Sequence, residues 1–206
     1  MKTVLTTPTE ERVKTACMKF DQDQDVLLVE QSLKELFDQF PGNNDLPHVL
    51  LKVVALNRLY STQIFAVVDV ARHIHRNAQA IDAALAAGSP GIVETIAKVT
   101  VTVSGKERNN YSFATKYCSW HNPASYPIYD SRVDRYLWKL QKQDRFATFF
   151  LTNADLWDYA KFRDVTMAFR DFYGLGSFSF KQIDKFLWLY GERKPGTGSG
   201  FRRDSA

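Results

Sequence analysis

The sequence predicts an all-α fold, a compact bundle of about ten helices, and three observations carry that expectation. Apolar residues recur at the three-and-four spacing of a helix in one segment after another. Glycine, proline or asparagine clusters stop each of those segments. Pairs of alternating, strand-like runs do not emerge. The 206 residues are 45% hydrophobic, with 15 Phe, 9 Tyr and 4 Trp, so the chain is long and apolar enough to bury a proper core.

Taken in order, Glu10 to Phe20 suits a short helix, and Asp21 to Asp25 is a polar break. Val26, Val29, Leu33, Leu36, Phe37 and Phe40 then fall in one register, ended by Pro41-Gly42-Asn43-Asn44. From Leu46 the chain stays apolar to Ile74, but the polar cluster Asn57-Arg58 and Tyr60-Ser61-Thr62 divides it into two helices. Ser61 or Thr62 is expected to cap the second. Asn77 to Ala87 is a further helix, stopped by Gly88-Ser89-Pro90-Gly91, and Ile92 to Val99 a short one. Thr100 to Ser104 is rich in β-branched residues and suits an extended chain; Gly105 to Asn110 is a basic, polar turn. Tyr111 to Leu140 reads as helix, proline-bounded loop, helix. One helix is expected from Asn153 or Asp155 through Phe172, stopped at Tyr173-Gly174-Leu175-Gly176. Ser179 caps the last, with Gly191 just past its end. Residues 1–191 therefore form one helical domain, with room for two lobes across a cleft, and 192–206 read as a disordered basic tail.

The formal charge of +4 and pI of about 9.0 permit a polyanionic partner without requiring one. Cys17 and Cys118 form no paired motif and fit a reducing cytoplasm. No apolar run reaches membrane length and the start has no signal-peptide core, so a soluble cytoplasmic protein is expected. His73 and His75 would point about 200° apart on a helix, which argues against a metal site. Sheet-based metal nucleases and α/β nucleotide-binding folds are disfavoured by the helical pattern and the missing Gly-rich loop.

The chemistry concentrates in Tyr111 to Leu140. Phe113, Ala114, Tyr117, Cys118 and His121 share one stripe; Lys116 lies well off it, its amine free to point into a cleft or into water. Asp130 stands immediately ahead of the apolar run Val133, Tyr136, Leu137, Leu140, at an N-cap. An amine and a carboxylate are thus delivered by neighbouring elements through a rigid turn. The plain alternative is a solvated lysine and an ordinary cap.

The string SFATKYCSWHNPASYPIYDSRV places a Lys on a helix, a loop ending Pro-hydrophobic-X-Asp, then a helix. In this it resembles the catalytic segment of the helix-hairpin-helix DNA glycosylases, and is most similar to small bacterial proteins of the 8-oxoguanine DNA glycosylase-like fold. The likeness is strong over 111–135 and weaker over 46–75 and 173–191. It implies that Lys116 is a nucleophile, that Asp130 assists at the anomeric carbon, and that the protein flips and excises a modified base from double-stranded DNA as a monomer without a cofactor. An accompanying lyase step follows if a Schiff base forms. By the same likeness Asn57, Arg58 and Tyr60 would fill the hole left by the base, and Trp120, His121, Tyr126 and Tyr129 are candidates for the base pocket. Two departures stand out. Lys116 and Asp130 are 14 residues apart (130 − 116), fewer than in better-known members, and VSGKERNNYS replaces the usual Gly-rich hairpin with the single Gly105. Lys106, Arg108 and Arg132 are the candidate cations for the DNA backbone. The base would be oxidised guanine, or a phage hypermodified cytosine in a defence role. The competing expectation is a non-catalytic helical DNA-binding module of the same fold.

Overall fold

The computed structural model describes residues 5–191, so the tail expected over 192–206 lies outside the described residues. Ten α-helices and one small hairpin follow in order: α1 Glu10–Asp21, α2 Gln24–Gln39, α3 Leu46–Leu59, α4 Val67–Arg76, α5 Ala78–Ala87, α6 Ile92–Ala97, β1 Lys98–Thr100, β2 Glu107–Asn109, α7 Tyr111–His121, α8 Ser131–Asp144, α9 Tyr159–Phe172 and α10 Phe180–Tyr190. The fold class expected from periodicity is the one observed.

Local chemistry explains most boundaries. Asp23, Asp45, Asp130, Asp158 and Ser179 each accept backbone N–H groups at the start of a helix, where the free donors and the positive end of the dipole both favour an oxygen. Gly88 ends α5 at φ 66°, a left-handed conformation in which most side chains would be strained.

Three expectations about the elements need correction. The first is the hairpin. Val101 to Lys106 fold back so that β1 and β2 pair antiparallel, Lys98 opposite Asn109 and Thr100 opposite Glu107. The β-branched run Val99 to Val103 favours this, and Gly105, at φ 64°, supplies the turn. The second is the junction after α3. Asn57 holds both the N–H and the carbonyl of Ile64, at 2.9 and 2.8 Å, and accepts from Thr62. The chain is diverted through a loop with Ser61 and Gln63 at positive φ, and α4 starts only at Val67, with neither Ser61 nor Thr62 as its cap. Third, the helix expected from Asn153 to Phe172 is two pieces: a 3-10 turn over Asn153–Trp157, started by a Thr152/Asp155 capping box, and α9, capped anew by Asp158. Gly191 does stand just past the end of α10, where it is extended (φ −68°, ψ 130°). What requires glycine there is close approach: a Cβ would meet the Leu187 carbonyl at 2.7 Å and the Arg132 Cβ at 3.0 Å.

The helix α7 sits at the centre. It packs against α2, α3 and α6, and buries Tyr111, Phe113, Ala114, Thr115, Lys116, Tyr117 and Cys118. A helix buried on nearly all sides carries no solvent stripe, so the expectation that Lys116 might face water fails. At the edge of this core α10 packs across both α1 and α8, bringing the first and last helices together. Lys185 ties α10 to Asp21 at 2.9 Å and to Glu30 at 3.5 Å, and the Phe20 and Trp188 rings meet edge-on.

Gly191→Ala should lower the stability to urea unfolding by roughly 1–3 kcal/mol, the usual cost of overpacking, because the obstructing atoms are backbone or Cβ and cannot swing aside. A change below about 0.5 kcal/mol would show that the end of α10 yields freely.

Candidate functional site

Ser112, Lys116 and Trp120 are spaced by four residues and share one face of α7. The loop that follows the helix returns across this face, and its last residues are pinned to it. Thr115 Oγ1 accepts from the Tyr129 N–H at 3.1 Å. The Tyr129 carbonyl in turn accepts from Ser112 Oγ at 3.2 Å and from Lys116 Nζ at 3.2 Å. The next residue is Asp130, whose Oδ1 accepts from the N–H groups of Arg132 and Val133 at 2.7 and 2.9 Å. The lysine is therefore bonded to the residue directly before the helix cap, and the two candidate catalytic groups are brought together.

Lys116 is only 4% exposed. Its ammonium also reaches the Ser112 hydroxyl at 2.8 Å and the Ser112 carbonyl at 3.3 Å, and lies 5.6 Å from the centre of the Tyr60 ring. Burial pushes its pKa below the usual lysine value, while the charges of Asp130 and Asp184 pull the other way. Tyr60, half-buried after α3, accepts a hydrogen bond from Trp120 Nε1 at 3.2 Å, and the Lys181 ammonium lies 4.9 Å from the Trp120 ring. Lys181 is itself paired with Glu30 at 3.2 Å.

Asp184, on α10, acts on this cluster through its charge and was not anticipated. Its Oδ1 is buried without a hydrogen-bond partner. Burial, then the neighbouring Asp130, push its carboxyl above the ordinary range, against the opposing influence of Lys116. Bracketed by Lys181 and Lys185, it reads in the sequence as one charge on a solvated face. The one available signal was its place beside Ile183, Phe186 and Leu187, which line the buried side of α10.

The other candidates separate. Asn57 is the anchor of the 60–66 loop, its amide fully engaged by Ile64 and Thr62. Arg58 is exposed, and so are Lys106 and Arg108 on the hairpin. Arg132 stacks its guanidinium over Trp188 at 4.0 Å. Tyr126 is a core residue, not a pocket wall: it is wholly buried and its hydroxyl lies 3.0 Å from both the Ala84 and Ser89 carbonyls. Tyr129 is also buried, its hydroxyl donating to Asp134 at 2.6 Å, so its backbone and not its ring meets the Lys116 cluster.

His121 lies on a different face of α7, with Lys52. That lysine, fully buried, donates to the carbonyls of Phe40 and Gly42 at 3.1 and 2.9 Å and to Asn43 Oδ1 at 3.0 Å, and its Nζ is 3.3 Å from His121 Nε2. It closes the end of α2, where carbonyls would otherwise be unpaired. Burial lowers the Lys52 pKa to about 8, and burial with the Lys52 charge lowers that of His121 to about 3. The imidazole is thus neutral, and lines a cavity of about 200 Å³ with Pro41, Asp82, Leu85, Ala86 and Asn122.

With this geometry in hand, comparison places the chain. A family model described as HI_0787_N, N-terminal domain, matches residues 12–125, more than half of the chain, and the protein belongs to that family. An uncharacterized protein of Haemophilus influenzae is 42% identical over 136 residues, which is 66% of this chain and 62% of that relative's length. No solved structure matches. The family match takes in Lys116 and the whole Lys52–His121 contact and stops short of Asp130 and Asp184.

His121 makes stability sensitive to acid. Its folded pKa of about 3 lies below the unfolded value near 6.5, so the unfolded chain binds the additional proton. The stabilisation is complete above about pH 6.5 and is lost as the pH falls toward about 3. Against His121→Gln, the parent protein should lose a few kcal/mol more between those limits in urea unfolding. Parallel pH profiles for the two proteins would show that the ring is protonated in place.

Proposed function

We propose that this protein is a DNA glycosylase, excising a modified base from duplex DNA through Lys116 and Asp130. The observation that carries the reading is a desolvated amine bonded to the backbone carbonyl immediately before an N-cap carboxylate. Loss of a base leaves C1′ of the sugar cation-like. A carboxylate held by its helix terminus stabilises that charge without reorganising. An amine whose pKa is lowered by burial has a lone pair available for attack at C1′, giving a covalent imine that permits strand cleavage. Tyr60, whose ring centre lies 5.6 Å from the amine, and Trp120, which donates to its hydroxyl, are the pair to receive an extruded base, which is held by stacking. The basic charge of the chain favours a polyanionic partner. Oxidised guanine and a phage-type modified cytosine are the two substrate classes to compare.

One observation favours a second reading, a helical DNA-binding module without turnover. The Lys116 ammonium has hydrogen-bond partners at Ser112 and Tyr129 and is almost wholly covered, so attack requires the Tyr60–Trp120 side of the cluster to part.

Base release from duplexes carrying oxidised, deaminated, alkylated or glucosylated bases separates the two. One substrate should be processed by the parent, with Asp130→Asn at least 100-fold slower and Lys116→Ala giving no borohydride-trapped adduct, while both variants bind the DNA. DNA bound without release of any base on the panel would favour the binding module. Adduct formation by Lys116→Ala equal to the parent's would remove Lys116 from the chemistry.

A further inference from the structure

Tyr60 lies over the amine of Lys116, so whatever holds that ring in place decides when the amine can be reached. A chain of direct contacts leads from the amine to the surface. The Lys116 ammonium is 5.6 Å from the centre of the Tyr60 ring, and Trp120 Nε1 donates to the Tyr60 hydroxyl at 3.2 Å. The Lys181 ammonium lies 4.9 Å from the centre of the Trp120 ring. At the outer end Lys181 is paired with Glu30 at 3.2 Å, and Glu30 with Lys185 at 3.5 Å.

This chain joins separate parts of the fold. Glu30 lies on α2, Tyr60 just after α3 and Trp120 on α7, whereas Lys181 and Lys185 are about one turn apart on α10. That helix packs against α1 and α8, and these two long side chains carry it across to Glu30 and Trp120. The two lysines are held differently. Lys185 is 11% exposed and also pairs with Asp21 at 2.9 Å. Lys181 is 43% exposed, within reach of any anion that approaches. A half-exposed ion pair and a cation over a ring are weak contacts, and the ion pair is screened by salt.

We propose that Lys181 is a latch on the Lys116 site, held across Trp120 by Glu30, and that a phosphodiester binding Lys181 in place of Glu30 releases it. The incoming anion draws the ammonium off the ring, Trp120 and Tyr60 part, and the amine is uncovered. A phosphodiester suits the exchange because, like the carboxylate it replaces, it offers a single negative charge on two oxygens to an ammonium. The choice of a phosphodiester rests on the glycosylase reading. The latch itself rests on the contacts alone.

The test reads the accessibility of Lys116 in the full chain by brief reductive methylation with formaldehyde and cyanoborohydride, followed by mass spectrometry. Lys14, whose side chain is 62% exposed, is the open reference, and the fully buried Lys52 reports loosening of the whole fold. Glu30→Gln and Lys181→Met should each raise methylation of Lys116 by about 3- to 10-fold, in proportion to the opening equilibrium, and leave Lys52 unchanged. Removing an anion and removing a cation shift the charge of the amine in opposite directions, so a rise in both variants is not an electrostatic effect. The double variant should gain no more than either single one, because both remove the same device. Salt should raise the reactivity of Lys116 in the parent and not in Glu30→Gln. At constant ionic strength a thymidine dinucleotide should raise it in the parent and not in Lys181→Met. Equal reactivity of Lys116 in the parent and both single variants overturns the latch, as does a rise at Lys52 that matches the rise at Lys116. A parent that ignores the dinucleotide overturns the phosphodiester as the releasing anion. A latch that responds as expected, with no base released from any of the modified duplexes, sinks the glycosylase reading and leaves the latch standing. Base release with an unresponsive Lys116 does the reverse.

Discussion

The backbone of Tyr129 is the constraint on which the centre of this molecule depends. Its N–H and carbonyl are both bonded to α7, through Thr115, Ser112 and Lys116, and this fixes where the proline-bounded loop ends. One residue later the Asp130 side chain opens α8, so the position of the carboxylate and the direction of an entire helix follow from a few hydrogen bonds made by the backbone of one residue. Those bonds lie inside the protein, where water does not compete and a missing partner is costly. Pro127 restricts the approach, and its carbonyl is held by the Tyr159 hydroxyl at 2.8 Å, so the loop is gripped from α9 as well.

The same interior contains two buried lysines with different surroundings. Lys52 meets the carbonyl end of α2, Asn43 and a neutral imidazole, and feels the charge of Asp82. Lys116 meets the Ser112 hydroxyl, the Ser112 and Tyr129 carbonyls and an aromatic face, and feels the charges of Asp130 and Asp184. Both ammonium groups are held by dipoles, and burial pushes both below the usual lysine pKa.

The helices were legible because burial in this fold is set by periodicity, and the caps because a carboxylate or hydroxyl ahead of an apolar run has a definite local partner. Asp130 was readable for that reason. The hairpin was half legible: the β-branched run before Gly105 showed, but its partner Glu107–Asn109 is exposed along its whole length and carries no alternation. Lys116 was found by its setting, yet its burial was not, since a stripe computed for one face cannot reveal that other helices cover the remaining ones. Lys52 and Asp184 share that failing from the other side: charged residues whose burial depends on contacts with distant segments. Tyr126 and Tyr129 flank a proline in a loop, where exposure is the ordinary expectation, and only the packing of α9 turns both inward.

The meeting of α1 and α10 has a consequence for how the interior charges depend on the fold. Lys116 and Asp130 come from neighbouring elements, whereas the Asp184 charge reaches them only through the packing of α10 on α1 and α8. Loosening α10 would part the Phe20–Trp188 rings, release Lys185 from Asp21 and withdraw that charge together. The electrostatic surroundings of the amine are therefore tied to contacts between segments distant in sequence, the kind whose loop-closure cost is highest.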